Sequence, residues 1–219
     1  MCQDLSLHVV FCFLLRLFCA ILTEKVRKLI WSTALEDKMT ARIVIISGAT
    51  GTGKTSISRI LAENSTYDKA VHIHTDDFYE YIRKGYIAPW LNGSGDQNET
   101  MIESVAASAR SFSAGGYEVY VDGVIGPWFL EPWRKIAEEG VDVRYIVLRP
   151  DEKATILRAA NREQRDYFPL NSEIVKNVWL SLSDLGIYES NAIDTTNQTV
   201  DESITLIQKM LLEGACRIK

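Results

Sequence analysis

The sequence predicts an α/β fold in which five parallel strands form one sheet with helices on both faces. Three observations predict it. From Met39 onward, apolar runs of strand length alternate with stretches of helical periodicity, the pattern of parallel strands joined by crossover helices. A glycine-rich turn, "SGATGTGKTS", separates the first strand from the first helical stretch. The chain has 219 residues, 47% of them apolar and 24% charged, so it can bury a real core without a covalent staple.

Taken in order, "RIVIIS" is a continuous apolar run of strand length, and Ile57, Ile60 and Leu61 give residues 54–64 a helical period. "AVHIH" is a second short strand, and "DDFYEYIRKG" begins a helix that Gly85 can close. Residues 85–97 are rich in Gly, Pro and Asn and read as a loop. A helix is expected over about 98–113, ended by Gly115 and Gly116, before the strand "YEVYVD". "WFLEPWRKIAEEG" is helical, with Pro132 tolerable only near its first turn. "VDVRYIVLRP" is the fourth strand; helices over roughly 151–164 and 172–184 follow, with a break at Pro169. "NAIDTT" is the last strand and 200–213 the last helix.

Composition excludes some classes of function. Net charge is −5, with acids and bases interleaved, so no basic stripe suggests a nucleic-acid surface and none is expected to bind. Cys2, Cys12 and Cys19 lie near the start and Cys216 near the end, a spacing that fits neither a zinc site nor a disulfide framework. A core without disulfides is consistent with a cytoplasmic location.

Residues 1–38 read differently from the rest and are treated as an N-terminal extension to a domain at 39–219. "HVVFCFLLRLFCAIL" is almost wholly apolar but falls short of the ~20 residues that a membrane span requires. Only Asp4 precedes it, where a secretory signal wants positive charge. Three readings stand: an amphipathic appendage, a membrane-surface anchor, or upstream sequence ahead of a native start at Met39. The last is favoured because Met39 stands immediately before the first strand, and membrane contact through this segment is not expected.

In sheets of this kind ligands collect beyond the carboxyl ends of the strands. That places the chemistry at Gly48–Thr55, Thr75–Asp77, Asp122–Gly126 and the segment after Arg149. Gly48, Ala49, Thr50, Gly51, Thr52, Gly53, Lys54 and Thr55 match G-x-x-x-x-G-K-[ST], with a strand before and a helix after. The glycines let successive amides turn inward as an anion nest, and the helix start adds its positive end. The nucleotide-binding segment is therefore expected to run from Gly48 to Thr55 with Ser56 in the same turn. Lys54 reaches the β- and γ-phosphates, and Thr55 holds Mg²⁺. Guanine-reading N-K-x-D is missing, which favours ATP. Asp122, at the end of "YEVYVD", stands where a carboxylate near the metal belongs in such proteins. A turn aspartate before Gly123 is the plain alternative.

The stretch "VHIHTDDFYEYI" resembles the P-loop small-molecule kinases, the group related to uridine, nicotinamide riboside, gluconate and shikimate kinases, and also chloramphenicol phosphotransferase-like proteins. Asp76-Asp77-Phe78-Tyr79 looks like the D-D-F-[FY] pattern that ends their second strand. The resemblance covers residues 41–213 in layout, with only this motif and the glycine-rich turn specific. It implies that Asp76 approaches an acceptor hydroxyl as base or orienter; the alternative for Asp76 and Asp77 is a helix cap. Gluconate- and shikimate-type kinases carry D-x-D here, and this chain has His74 at the earlier acid, so the resemblance leaves metal duties to Thr55 and Asp122. His74 itself reads more simply as a satisfied inward-facing side chain.

Arg158, Arg162 and Arg165 recur at spacings of four and three on one helical face. By the same resemblance a lid after the fourth strand carries arginines that close on the phosphates; a solvated face paired with Glu152, Glu163 and Asp166 is the alternative. The resemblance also sets Thr195, Thr196 or Asn197 beside the adenine, while Thr199 and Asp201 read as helix caps. Phe78, Tyr79, Tyr81, Tyr86, Trp90 and Trp128 cluster where an acceptor would bind, Tyr81 and Trp133 being expected in the core. The combined expectation is an ATP-dependent phosphotransferase with Lys54, Asp76 and the lid arginines as its catalytic groups and an unidentified hydroxylated small molecule as acceptor. A nucleotide-binding regulator or NTPase without an acceptor is the alternative.

Overall fold

β1 (Ile43–Gly48) lies at the centre of the sheet, flanked by β3 (Glu118–Gly123) and β4 (Val143–Leu148), with β2 (Ala70–His74) and β5 (Ala192–Ile193) at the edges. Every pairing is parallel and the order is β2-β3-β1-β4-β5. The computed structural model describes residues 40–161 and 171–218. Every residue of β1, β3 and β4 is buried, as expected for strands covered on both faces, and the continuous Ile/Val run that opens β1 reflects this.

Seven helices surround the sheet among the described residues: α1 (Lys54–Glu63), α2 (Thr75–Glu80), α3 (Gly95–Ala114), α4 (Glu131–Glu138), α5 (Glu152–Ala160), α6 (Ser172–Ser181) and α7 (Val200–Leu212). On one face, Ile43, Ile45, Val119, Val121 and Tyr145 pack against α3 and α4, with Trp133 fully enclosed as expected. On the other, Val44, Ile46, Tyr120 and Ile146 pack against Ile57 and Leu61 of α1 and Ile204, Ile207 and Leu211 of α7. The period-2 alternation of the strands produces this division.

Several boundaries differ from expectation. The helix expected to run to Gly85 stops at Glu80, because Tyr81 and Ile82 bond back to Phe78 and Tyr79, three residues away, and wind it down. Tyr81 therefore lies past the helix end and is 68% exposed, not in the core. The third helix begins earlier, at Gly95, and Pro132 sits in the first turn of α4 as its chemistry requires. A 3₁₀ segment, Gly186–Asn191, precedes β5 and leaves that strand two residues long. Thr199 caps α7 in a reciprocal capping box with Glu202, whereas Asp201 lies inside the first turn. Arg162, Arg165 and the break at Pro169 fall outside the described residues, as does the extension at residues 1–38.

Candidate active site

Reversal of strand order beside β1 opens a crevice between β1 and β3, and the glycine-rich turn fills its floor. Gly53 takes the N-cap position of α1 with φ 91°, a left-handed geometry natural to glycine. Among the described residues, no hydrogen bond engages the amides of Gly51 and Gly53, so these donors are available to an anion. Gly51 is also a point of close approach: a Cβ there would lie 2.6 Å from the Ala159 nitrogen of α5. Lys54 is buried, and its Nζ donates to the Ala49 carbonyl across the turn at 3.1 Å.

Asp122 is buried at the end of β3, and its carboxylate is held from three sides. Thr55, in the first turn of α1, donates its hydroxyl to Oδ2 at 2.8 Å. His72 Nε2 lies 2.5 Å from Oδ1, and His74 Nδ1 3.1 Å from Oδ2. The register explains this: His74 is paired with Asp122 across the sheet, and His72, two residues earlier, shares its face. Burial works to raise the Asp122 pKa, but the hydrogen bonds from His72 and His74 and the charges of His74 and Lys54 prevail and hold it far below the usual carboxylate range. For His74, burial works downward, and the bond to Asp122 with the charges of Asp122, Asp76 and Asp77 outweighs it and raises the pKa.

His74 is thus satisfied and turned inward, but its other nitrogen, Nε2, stands 3.5 Å from Oδ2 of Asp76. One imidazole bridges the two acids. Asp76 occupies the first turn of α2, and the cap position belongs to His74, whose side chain makes no capping bond; neither Asp76 nor Asp77 is the cap. The Asp76 side chain is 62% exposed and faces the cavity described below.

That cavity, of about 270 Å³, runs from Thr50, Lys54 and Thr55 past His74 and Asp76. Beyond Asp76 its walls are Tyr79, Trp90, Trp128 and Phe129, with Val105 of α3 and Val178 of α6. Of the expected aromatic cluster, Tyr79, Trp90 and Trp128 line the cavity, whereas Phe78 packs against the core. The turn carrying Trp128 is pinned: Ser47 Oγ donates to the Ile125 carbonyl at 2.8 Å and accepts from its amide, and Tyr145 OH donates to the same carbonyl.

Arg158, expected at the phosphates, donates through Nη2 to the carbonyls of Thr195 at 3.0 Å and Thr196 at 2.8 Å. It faces the loop expected beside the adenine. The sequence reading missed His72 altogether. Its signal was present: two polar residues on one face of a short strand need a buried partner, but only the register says which.

A magnesium ion suits the donor set. A hydroxyl whose proton is taken by a carboxylate turns its lone pairs outward, as Thr55 does toward Asp122. No cluster of three or more His, Cys, Asp or Glu side chains poised for a metal occurs among the described residues.

The family model described as an AAA domain matches residues 44–175. The fold is similar to an unliganded sugar kinase from Janibacter sp. HTCC2649, with TM-score 0.57 and 19% identity, covering 80% of this chain and 98% of that one. A gluconokinase from Sinorhizobium meliloti 1021 gives 0.55 and 19%, covering 80% and 97%. Shikimate kinase from Acinetobacter baumannii in complex with shikimate gives 0.54 and 17%, covering 82% and 97%. At these identities the likeness is one of fold, an α/β P-loop fold. No curated protein sequence matches the chain. No helix among the described residues is long and apolar enough to cross a membrane.

Proposed function

Since the chain belongs to the AAA domain family, a P-loop nucleotide-binding family, we propose that it is a kinase that moves the γ-phosphoryl group of ATP to a hydroxyl of a small molecule. The observation that carries this reading is one cavity lined by Thr50, Lys54 and Thr55 of the glycine-rich turn, by Asp76, and by apolar side chains that leave space for an acceptor. A regulator or simple NTPase has no need of that space.

The amides of the glycine-rich turn and Lys54 hold the triphosphate. Thr55 and Asp122 would hold Mg²⁺, which would supply neutralisation of charge on the β- and γ-phosphates. The acceptor oxygen forms a bond to the γ-phosphorus as the bond from that phosphorus to the ADP oxygen breaks. The hydroxyl proton passes to the Asp76 carboxylate. His74, bonded to Asp122 and near Asp76, keeps the base aligned with the metal-side carboxylate. Arg158 fits a role on the base side of the nucleotide, through Thr195 and Thr196. Arg162 and Arg165 are left to close on the phosphates and spread charge in the transition state.

Replacing Asp76 by Asn tests the assignment. Turnover is expected to fall by ~10²–10⁴-fold, the range for a positioned general base, with ATP affinity by titration calorimetry nearly intact. Unchanged turnover removes Asp76 from the mechanism.

A further inference from the structure

The acceptor half of the cavity is built for a guest of narrow chemistry, and we infer that the substrate is an uncharged alcohol with a single reactive hydroxyl on an apolar ring body. This rests on the kinase reading above and deepens it.

Charge comes first. Among the described residues lining the cavity, Lys54 is the one Lys or Arg, and it stands at the phosphate end. Next along the cavity is Asp76, an acid. An anionic acceptor would meet a carboxylate where it needs a cation, and the described walls supply no cation to hold it.

Hydrogen-bonding capacity comes second. Tyr79 donates its hydroxyl to Asn98 Oδ1 at 3.0 Å, and Asn98 Nδ2 is committed to the Pro89 carbonyl at 2.9 Å and to Ser94 Oγ at 3.2 Å. Ser181 donates within its own helix to Val178 at 2.7 Å. Burial, with the Asp76 charge beside it, raises the Tyr79 pKa, so its proton stays in that bond. The donors of Tyr79, Asn98 and Ser181 are therefore engaged with the framework. A polyol would lose water from several hydroxyls and regain partners for one or two, at a cost of about 1–3 kcal/mol for each group left unpaired.

Shape comes third. Met101, Ile102 and Val105 of α3, Ile174 and Val178 of α6, and Phe129 enclose the remaining space. Trp90 and Trp128 line that cavity and are 39% and 51% exposed overall, and their rings are suited to covering another ring. A cavity of about 150 Å³ holds one benzene ring. The 270 Å³ here, shared with the phosphate end, leaves room for one ring or two small fused ones. The hydroxyl then lies at Asp76 and the ring against the tryptophans.

The test uses the full chain with Mg·ATP and four acceptors: 2-phenylethanol, cyclohexylmethanol, glucose and gluconate. Product phosphate esters are followed by ³¹P NMR and mass spectrometry. Binding without nucleotide is followed by tryptophan fluorescence. The apolar alcohols are expected to be phosphorylated with kcat/KM ~10–100-fold above glucose or gluconate, the discrimination an apolar pocket can supply. Val178→Asn and Trp128→Ala should each reduce that preference ~10-fold. A higher kcat/KM for glucose or gluconate overturns the acceptor class and leaves the kinase reading standing. Apolar alcohols that bind and perturb fluorescence without any acceptor being phosphorylated support the pocket chemistry and overturn the kinase reading. If the apolar alcohols neither bind nor react, the inference is overturned.

Discussion

Glu118 and Asp122 stand four residues apart on one face of β3, both shut off from solvent, yet their partners differ in kind. Glu118 opens the strand. It accepts from the Arg42 guanidinium, from Ser65 at 2.5 Å and from Tyr120 OH at 3.0 Å. A permanent cation and two hydroxyls satisfy it, and it lies at the opposite end of the strand from the phosphate cradle. Asp122 closes the strand, and its partners are two imidazoles and the hydroxyl of Thr55. Each of those can exchange or share a proton or turn toward a ligand. A buried charge must be paired in either case. On the proposed function, the choice of partner separates a carboxylate that holds the sheet from one that serves the site.

Substitutions at the two acids should separate these roles. Asp122→Asn removes the charge but keeps the shape, and the flanking imidazoles can adopt tautomers that suit an amide. Turnover is expected to fall by ~10²–10³-fold, as when one preorganised electrostatic contact is removed, while the thermal midpoint of the nucleotide-free protein moves by a few degrees. If the midpoint collapses and turnover per folded molecule does not change, Asp122 belongs with Glu118.

Glu118→Ala should do the reverse. It leaves Arg42 without its acid and is expected to cost about 3 kcal/mol in urea unfolding, the low end for a broken buried pair because Arg42 keeps some contact with water. Its kcat and KM should match the parent below the unfolding transition. The smallest effect is expected from His74→Gln. The amide can still meet Asp122 but cannot bridge it to Asp76, so kcat should fall by ~10–100-fold, the size seen when a group orienting a metal-site ligand is lost. KM for ATP should stay in place. A parent-like kcat would show that the imidazole only fills space.

Legibility in the sequence followed the range of the interactions. The glycine-rich turn was readable because it is made of consecutive backbone amides, and the adjacent residues Gly48–Thr55 specify them. The parallel sheet was readable because alternating strand and helix periods constrain topology to a few right-handed solutions. Helix ends were read less well where weak local bonds decide them, as at Tyr81.

Residue types and spacings alone determined the fold class, the glycine-rich turn after β1, and the placing of Asp122 at the end of β3 and of Asp76 just past the end of β2. Tertiary structure decided that His72 clamps Asp122, that His74 spans two acids, that Arg158 turns to Thr195 and Thr196, and that the cavity beside Asp76 has apolar walls. Each of these depends on contacts between segments tens of residues apart. Strand register and helix packing create those contacts, and neither is encoded within a local window of the chain.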